Sequence, residues 1–474
     1  MADAILSFMA DLLDELRWRG LFHQATDEAA LREHLSDPGG SPRLIYAGFD
    51  PTADSLTVGN LIPILLLKHF QLAGHTPVVV MGGGTGLIGD PSGKEAERQL
   101  RTHKEIEQNI AGQKPIFERV LDFDPKKKNA AIVVNNLDWL SGLGYLEALR
   151  DVGKHFSVNM MIQKESVKER LHHREQGISY TEFSYMILQA YDFLKLYEDH
   201  AVTVQVGGSD QWGNIVAGCD LIRRTVSLKA LSVREGSPAC HKTGETPVPP
   251  NRSTFEGETG VLAAECFGLT APLVTKSDGG KFGKTETGAV WLTAVRTSPY
   301  AFYQYWLNVS DDDAQRYLKL FTLLKRNEID EIIGAHKSDP GARGAQRAVA
   351  DAVTRLVHGD AAADRAQVDT RALFTGEVAS LDKETLDEVF ADVESSEHRL
   401  SELAGEGLPL VELLPTTSLA KSKREAREFL TNGAISVNGA KVGINAKLTA
   451  SDLLHGSIAL LRRGKKSWYV TLWT

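Results

Sequence analysis

Between residues 44 and 70 an apolar strand pattern, Leu44–Phe49, is joined to an apolar helical pattern, Leu61–Phe70, by a loop dense in Asp, Thr, Gly and Asn. Asp50 and Pro51 end the strand and turn the chain. A helix starting near Thr57 aims its unpaired N–H groups and the positive end of its dipole at the loop, which suits phosphate oxygens. Gly59 lacks a Cβ, so a flat base can lie against the backbone. Thr52, Thr57 and Asn60 offer neutral hydrogen-bond donors. An ordinary strand–turn–helix accounts for Pro51 and Gly59 but not for so many polar groups. The sequence therefore predicts a nucleotide site at this turn.

The surrounding pattern says what kind of sheet carries it. Leu44–Phe49, Pro77–Met81, Ala131–Asn135 and Val202–Val206 are short, rich in β-branched residues and bounded by Gly, Asp or Asn. Helical stretches such as Lys104–Leu121 and Phe183–Leu196 lie between them. That alternation predicts an α/β fold with a doubly wound, Rossmann-like parallel sheet, whose ligands sit beyond the carboxyl ends of the strands. The pattern breaks at residues 226–265, a Pro-, Gly- and polar-rich stretch that reads as an inserted surface loop. Residues 311–375 read as helical, and an acidic stretch over 376–406 reads as a linker.

Charge separates the last segment from the rest. The 474-residue chain carries −9 overall, yet residues 407–474 hold ten Lys/Arg against four Asp/Glu, leaving −15 for the remainder. A basic tail on an acidic body predicts an anion-binding module, with RNA as the leading ligand. Its alternative reading is a solvated basic surface. Within it, Ser422–Asn432 predicts a helix, with a turn at Gly433 and strands at Ile435–Val442, Ile458–Leu461 and Trp468–Leu472. The N-terminus carries early acids and reads as an amphipathic helix rather than a targeting peptide. No apolar run is long enough for a membrane span. Cys219, Cys240 and Cys266 form no disulfide framework and suit a reduced, cytoplasmic setting. Cys240, His241 and Cys266 match no zinc spacing, so no metal site is expected.

Two further loops bear on the chemistry. Gly84-x-Gly86-x-x-Gly89 follows a strand and, taken alone, is a dinucleotide fingerprint. Asp90-Pro91 then stops any helix, and Ile88 and Glu95 spoil a P-loop reading of the segment through Lys94. Lys281-Phe-Gly-Lys284-Thr285 places two lysines around a glycine, a loop suited to closing over a triphosphate. Each well-made charged contact there contributes roughly 1.5–3 kcal/mol. An exposed basic hairpin is the plainer reading. On the stretch Ser179–Phe193, Tyr185, Gln189 and Asp192 fall at i, i+4 and i+7, which sets three polar groups on one helix face.

Together these stretches resemble the class I aminoacyl-tRNA synthetases, specifically the bacterial-type tyrosyl enzymes. The Tyr46–Leu61 run is similar to their "HIGH" signature, with Thr57 and Asn60 where His is usual. Lys281–Thr285 is similar to "KMSKS" in its Lys-Phe-Gly-Lys form. Gln205–Asn214, Gly89–Gly93 and Ser179–Phe193 narrow the likeness. The resemblance spans residues 10–225 and 266–474, and its implications are residue by residue. Tyr46 and Asp192 would bond the phenol of L-tyrosine, and Asp90, Tyr185 and Gln189 its α-ammonium. Gly48, Asp50, Gly59, Gly208, Asp210, Gln211 and Lys284 would line the ATP site. Thr52, Thr57, Asn60, Lys94, Arg98, Lys281, Lys284 and Thr285 would serve catalysis at the phosphates, with Mg2+ arriving on ATP. Asn136–Trp139 and Leu149–Phe156 would belong to a homodimer contact. The tail would be an S4-like RNA-binding domain presenting Lys421, Lys423, Arg424 and Arg427 to tRNA(Tyr).

The implied domains are a catalytic one over 1–310, a helical one over 311–375, the linker over 376–406 and a small α+β one over 407–474. The implied activity is two-step: tyrosine and ATP give tyrosyl-adenylate, and the tyrosyl group passes to the tRNA 3′ end. Three alternatives stay open. Thr57 suits an RNA-binding protein with a degenerate site, the fold class suits a tryptophanyl enzyme, and Gly84–Gly89 suits a dehydrogenase.

Overall fold

A computed structural model of the chain describes residues 12–36, 41–90, 101–164, 167–168, 178–234, 264–280, 282–285, 288–391, 393–464 and 467–474. These fall into two compact units, 1–297 with 308–357 and 298–307 with 358–474.

The first unit is built on a six-stranded sheet ordered β1-β6-β5-β2-β3-β4. Its strands are β1 (Gln24–Ala25), β2 (Leu44–Phe49), β3 (Thr76–Met81), β4 (Ile132–Asn135), β5 (Val202–Gly208) and β6 (Phe267–Ala271). All pair in parallel except the edge strand β1, which runs antiparallel to β6. The four sequence-derived strands are present within a residue or two. The chain moves outward from β2 through β3 to β4, then returns to β5 on the other side of β2. The reversal opens a crevice at the carboxyl ends of β2 and β5.

Helices of this unit include, in chain order, α1 (Leu12–Arg19), α2 (Leu61–Leu72), α3 (Thr85–Ile88), α4 (His103–Val120), α5 (Tyr180–His200) and α6 (Trp212–Arg234). Nine of the twelve residues of α2 are buried, as its almost unbroken apolar run requires of a helix enclosed on most sides. α4 opens on a reciprocal cap between Thr102 and Glu105, and α5 on Ser179, whose hydroxyl accepts from the Glu182 N–H. α3 ends at Gly89, whose φ of +87° closes the single turn. The expected loop over 226–265 is corrected at its start, because α6 continues to Arg234. Residues 235–263 lie outside the described set.

The chain next passes through α7 (Pro299–Leu307), which belongs to the second unit, and returns to the first with α8 (Asp311–Phe321). The expected helical domain 311–375 is thus divided, since residues 311–357 group with the large sheet. α9 (Asp360–Thr375) groups with the C-terminal unit and packs on α7. The acidic 376–406 stretch is not a linker. It forms α10 (Lys383–Val389) and β9 (Ser395–His398), and β9 pairs in parallel with the last strand of the chain. Its Leu386 and Phe390 join Ile458, Leu460 and Val470 in one core.

The remainder follows the sequence reading except at Ile435–Val442, which is a hairpin turned at Asn438 and Gly439 and not one strand. Ser422 caps α11 (Lys423–Thr431), Gly433 turns at φ +62°, and β11 (Ile435–Val437) enters a sheet ordered β12-β11-β14-β15-β9. Its other members are β12 (Ala440–Lys441), β14 (Ile458–Arg463) and β15 (Ser467–Trp473), while β10 (Leu408–Pro409) and β13 (Lys447–Leu448) form a separate antiparallel pair.

Candidate active site

The crevice is a single cleft of about 580 Å³. Its lining includes Tyr46, Gly48, Asp50, Thr52, Thr57, Gly59, Asn60, Asp90, Tyr185, Gln189, Asp192, Gly208, Asp210 and Gln211. The structure therefore gathers fourteen of the residues singled out from sequence into one cavity. Their spacing along the chain is explained by the sheet: β2 and β5 deliver their carboxyl ends, and α5 crosses behind them. A Cβ at Gly48 would meet nothing within 4 Å, so this mid-strand glycine leaves the floor of the cleft open.

At the deep end sit Tyr46 and Asp192, 1% and 4% exposed. The Tyr46 hydroxyl has no hydrogen-bond partner among the described residues. Burial, then the neighbouring Asp192 charge, pushes its pKa well above the ordinary phenol value, so it stays protonated. Asp192 accepts from Trp139 Nε1 at 2.7 Å and from Asn136 Nδ2 at 2.9 Å. Burial raises its pKa to about 7 against the lowering effect of those two donors. The side chains of Asn136 and Trp139, residues that the resemblance assigns to a dimer segment, turn inward and fix the carboxylate.

A hydrogen-bond chain runs from there toward the mouth. Asn136 Nδ2 also donates to Thr85 Oγ1 at 2.9 Å, and Thr85 Oγ1 donates to Asp50 Oδ1 at 2.7 Å. Tyr185 Oη donates to Asp50 Oδ2 at 2.8 Å. A second cluster lies beside it. Gln211 Nε2 donates to Asp90 Oδ2 at 2.7 Å, and Asn214 Nδ2 donates to Gln189 Oε1 at 2.9 Å. Asp210 is pushed up, chiefly by burial. Three carboxylates, Asp50, Asp90 and Asp210, thus border the middle of the cleft, a setting that favours an ammonium group.

At the mouth, Thr57 precedes the short 3-10 turn Val58–Asn60 that leads into α2. Its N–H and its hydroxyl both donate to Asn60 Oδ1, at 3.0 and 2.9 Å. The hydroxyl proton expected to be available to a ligand is therefore spent inside the motif. The Asn60 amide Nδ2 is the donor left to the cleft by this pair. Gly84 and Gly86 serve packing, since a Cβ at Gly84 would lie 2.8 Å from Leu140 and one at Gly86 3.0 Å from Ile106, while Gly89 ends α3 at φ +87°. The helix opened by this motif ends after one turn at Gly89, so the long helix a dinucleotide fingerprint needs is missing.

Of the remaining sites, Lys94, Arg98 and Lys281 lie outside the described residues. Lys284 and Thr285 form a two-residue strand, β7, paired with β8 (Gly288–Ala289). Sequence reasoning missed Thr85, Asn136, Trp139 and Gln205, all of which line the cleft or bond to its lining. Asn136 follows β4 directly, and the rule about strand ends could have found it.

Comparison with known proteins agrees with this geometry. Residues 40–375 match the family of class I tRNA synthetases for Trp and Tyr, and residues 385–471 match the tyrosine–tRNA ligase SYY-like C-terminal domain. The chain belongs to the class I aminoacyl-tRNA synthetases. It is 48% identical over 461 residues to the tyrosine–tRNA ligase of Bacillus caldotenax, covering 97% of this chain and 99% of that one. It is 46% identical over 458 residues to that of Rhodopirellula baltica, covering 96% and 95%. Among solved structures it is similar to a C-terminally truncated mitochondrial tyrosyl-tRNA synthetase from Aspergillus nidulans. That likeness has a TM-score of 0.64 at 28% identity, covering 78% of this chain and 99% of that one. Within its class the chain is a tyrosine–tRNA ligase, joining tyrosine to tRNA at the expense of ATP.

Proposed function

We propose a division of labour along the cleft. The substrate phenol enters the deep end, between the Tyr46 hydroxyl and Asp192. Its α-ammonium lies among Asp90, Tyr185 and Gln189, and ATP lies over Gly48, Asp50, Gly59, Gly208, Asp210 and Gln211. Thr52, Asn60, Lys94, Arg98, Lys281, Lys284 and Thr285 meet the phosphates, with Thr57 acting through Asn60. The observation that carries this reading is the fully buried Tyr46 hydroxyl, without a partner among the described residues, at the deep end of a cleft that also holds the Thr57–Asn60 turn. Catalysis then needs no protein nucleophile. The tyrosine carboxylate attacks the α-phosphorus in line, and the enzyme's share is positioning and stabilising charge on the departing pyrophosphate.

Tyr46→Phe tests the deep end. It should raise the KM for tyrosine, leave that for ATP unchanged and narrow discrimination against phenylalanine, for which tyrosyl enzymes are the standard illustration. Unchanged discrimination in tyrosine-dependent pyrophosphate exchange would remove Tyr46 from phenol recognition.

Mg2+ is read as arriving on the ATP phosphates. Lys421, Lys423, Arg424 and Arg427, all exposed on or beside α11, are read as the tRNA-facing surface. Two copies of the chain are read as pairing in the cytoplasm through the segment holding Tyr145, Leu146, Leu149, Val158 and Met160, which are large apolar side chains left in water. Leu146→Asp should move the protein from dimer to monomer mass in light scattering. A wild-type monomer at micromolar concentration would dismiss the pairing.

A further inference from the structure

The lysine loop is held in place by the aromatic residue between its two lysines. The Phe282 ring stacks on Phe321, centroids 5.1 Å apart at 17°, and meets Tyr317 edge-on at 5.3 Å and 66°. Tyr317 and Phe321 lie one turn apart on α8 and are both fully buried. The same α8 grips the run before the lysines at two more places. The Asp313 carboxylate accepts from the Ser277 N–H at 3.0 Å and its hydroxyl at 3.1 Å, and Arg316 donates to the Thr275 carbonyl. α8 is itself fixed at its far end. The buried Arg19 of α1 donates to the carbonyls of Lys319, Thr322 and Leu324.

The opposite side of the loop meets the first nucleotide motif. The Val290 N–H donates to the Gly283 carbonyl, and the Val58 N–H donates to the Val290 carbonyl, each at 3.0 Å. Gly283 has φ +74°, and a Cβ there would lie 2.8 Å from Val58. The backbone of Phe282–Lys284 is therefore clamped between α8 and the Thr57–Asn60 turn, with the Phe282 ring contributing to the α8 half of the clamp.

We propose that Phe282 is a positioning residue for tyrosine activation. Its ring, seated on Tyr317 and Phe321, sets the distance from the Lys284 backbone to the turn at Thr57–Asn60. The inference rests on the reading of Lys284 as a phosphate contact. A rigid ring with two side-chain torsions in a socket of two more rings fixes the backbone two residues away. Removing the ring leaves Gly283, the most permissive residue, as the hinge beneath Lys284. Phe282 borders the same cleft, but its ring is seated on Tyr317 and Phe321 and not at the Tyr46–Asp192 end, so it acts on the activation step and not on tyrosine binding.

The test uses the full-length chain, with tyrosine-dependent ATP–pyrophosphate exchange and equilibrium tyrosine binding measured side by side. Phe282→Ala should lower the exchange kcat by about 10- to 100-fold, the scale of a misplacement near one ångström, with tyrosine Kd unchanged. Phe282→Met, apolar and able to fill the socket, should recover most of the loss. Phe321→Ala should cost little more in the Phe282→Ala background, because the contact is already gone. Phe321→Leu replaces it if the alanine variant does not fold. Wild-type exchange in Phe282→Ala, or parallel losses in kcat and tyrosine affinity, would overturn the inference. Lys284→Ala separates the premises. Full activity in that variant refutes the phosphate reading itself, whereas a loss there beside an unaffected Phe282→Ala refutes only the clamp.

Discussion

A carboxyl group shut away from water takes its charge from the groups that donate to it. Asp192 has two such donors, Asn136 and Trp139, and still holds a proton up to about pH 7 because of its burial. A bound phenol adds a third donor, and it bonds most strongly to the ionised form. Binding tyrosine below pH 7 must therefore first expel the carboxyl proton, whereas above pH 7 nothing has to leave. Tyrosine affinity should rise with pH, bend near 7 and then level off, and Asp192→Asn should flatten the curve. Fluorescence titration from about pH 5.5 to 8.5 measures it, and a wild-type affinity independent of pH contradicts it. At the mouth, Thr57→Val removes a hydroxyl already spent on Asn60. It should cost only about 0.5–1.5 kcal/mol in kcat/KM for ATP, the net worth of one hydrogen bond. Asn60→Ala removes the shared acceptor and the free amide together and should cost more. The reverse order in pyrophosphate exchange would restore Thr57 as the direct contact. The residues Tyr185, Gln189 and Asp192 were legible because one helix repeat sets them on one face. The bonds of Asn136 and Trp139 to Asp192 were not, because these partners lie 56 and 53 positions away and only the fold brings them together; the place of Asn136 at a strand end is the one local signal.

Elements were legible where burial writes a long pattern. β3 and β5 are buried along nearly their whole length, so their apolar runs stand out, and α5 and α11 announce themselves through Ser179 and Ser422 at their starts. β9 was hidden because an edge strand needs few apolar residues, and Ser-Ser-Glu-His has none. β6 was hidden because it follows the polar insertion directly. The hairpin joining β11 to β12 turns through Asn438 and Gly439, with φ of +49° and +86°, the signature of a two-residue hairpin loop. Gly439 lies so near the Gly376 carbonyl that a Cβ would sit 1.5 Å from its oxygen. Gly439→Ala should therefore push the hairpin off Gly376 and destabilise the unit by roughly 1–3 kcal/mol, combining the clash with the unfavourable φ. Urea unfolding followed through Trp468 and Trp473 gives the value, and a wild-type midpoint would show that the approach of the two glycines is dispensable.

At the scale of the whole molecule, domain borders were the least legible property. Composition marks where charge changes, not where contacts stop, and the acidic 376–406 stretch packs into the same core as the basic tail. The chain also leaves the first unit at 298, returns at 308 and leaves again at 358. That itinerary decides how the protein can be shortened. A polypeptide ending at 357 retains α7 but loses α9, the helix on which α7 packs. Phe302, Tyr303 and Trp306, all now buried, would face solvent, at roughly 1.5–3 kcal/mol each. Ending at Gly376 keeps both helices. The shorter product should collect in inclusion bodies or bind hydrophobic dyes, whereas the longer one should stay in the supernatant and still exchange pyrophosphate. Equal yields of clear, dye-negative protein from both would show that α7 needs no partner. For anyone preparing the catalytic half alone, those nineteen residues decide whether it survives in solution.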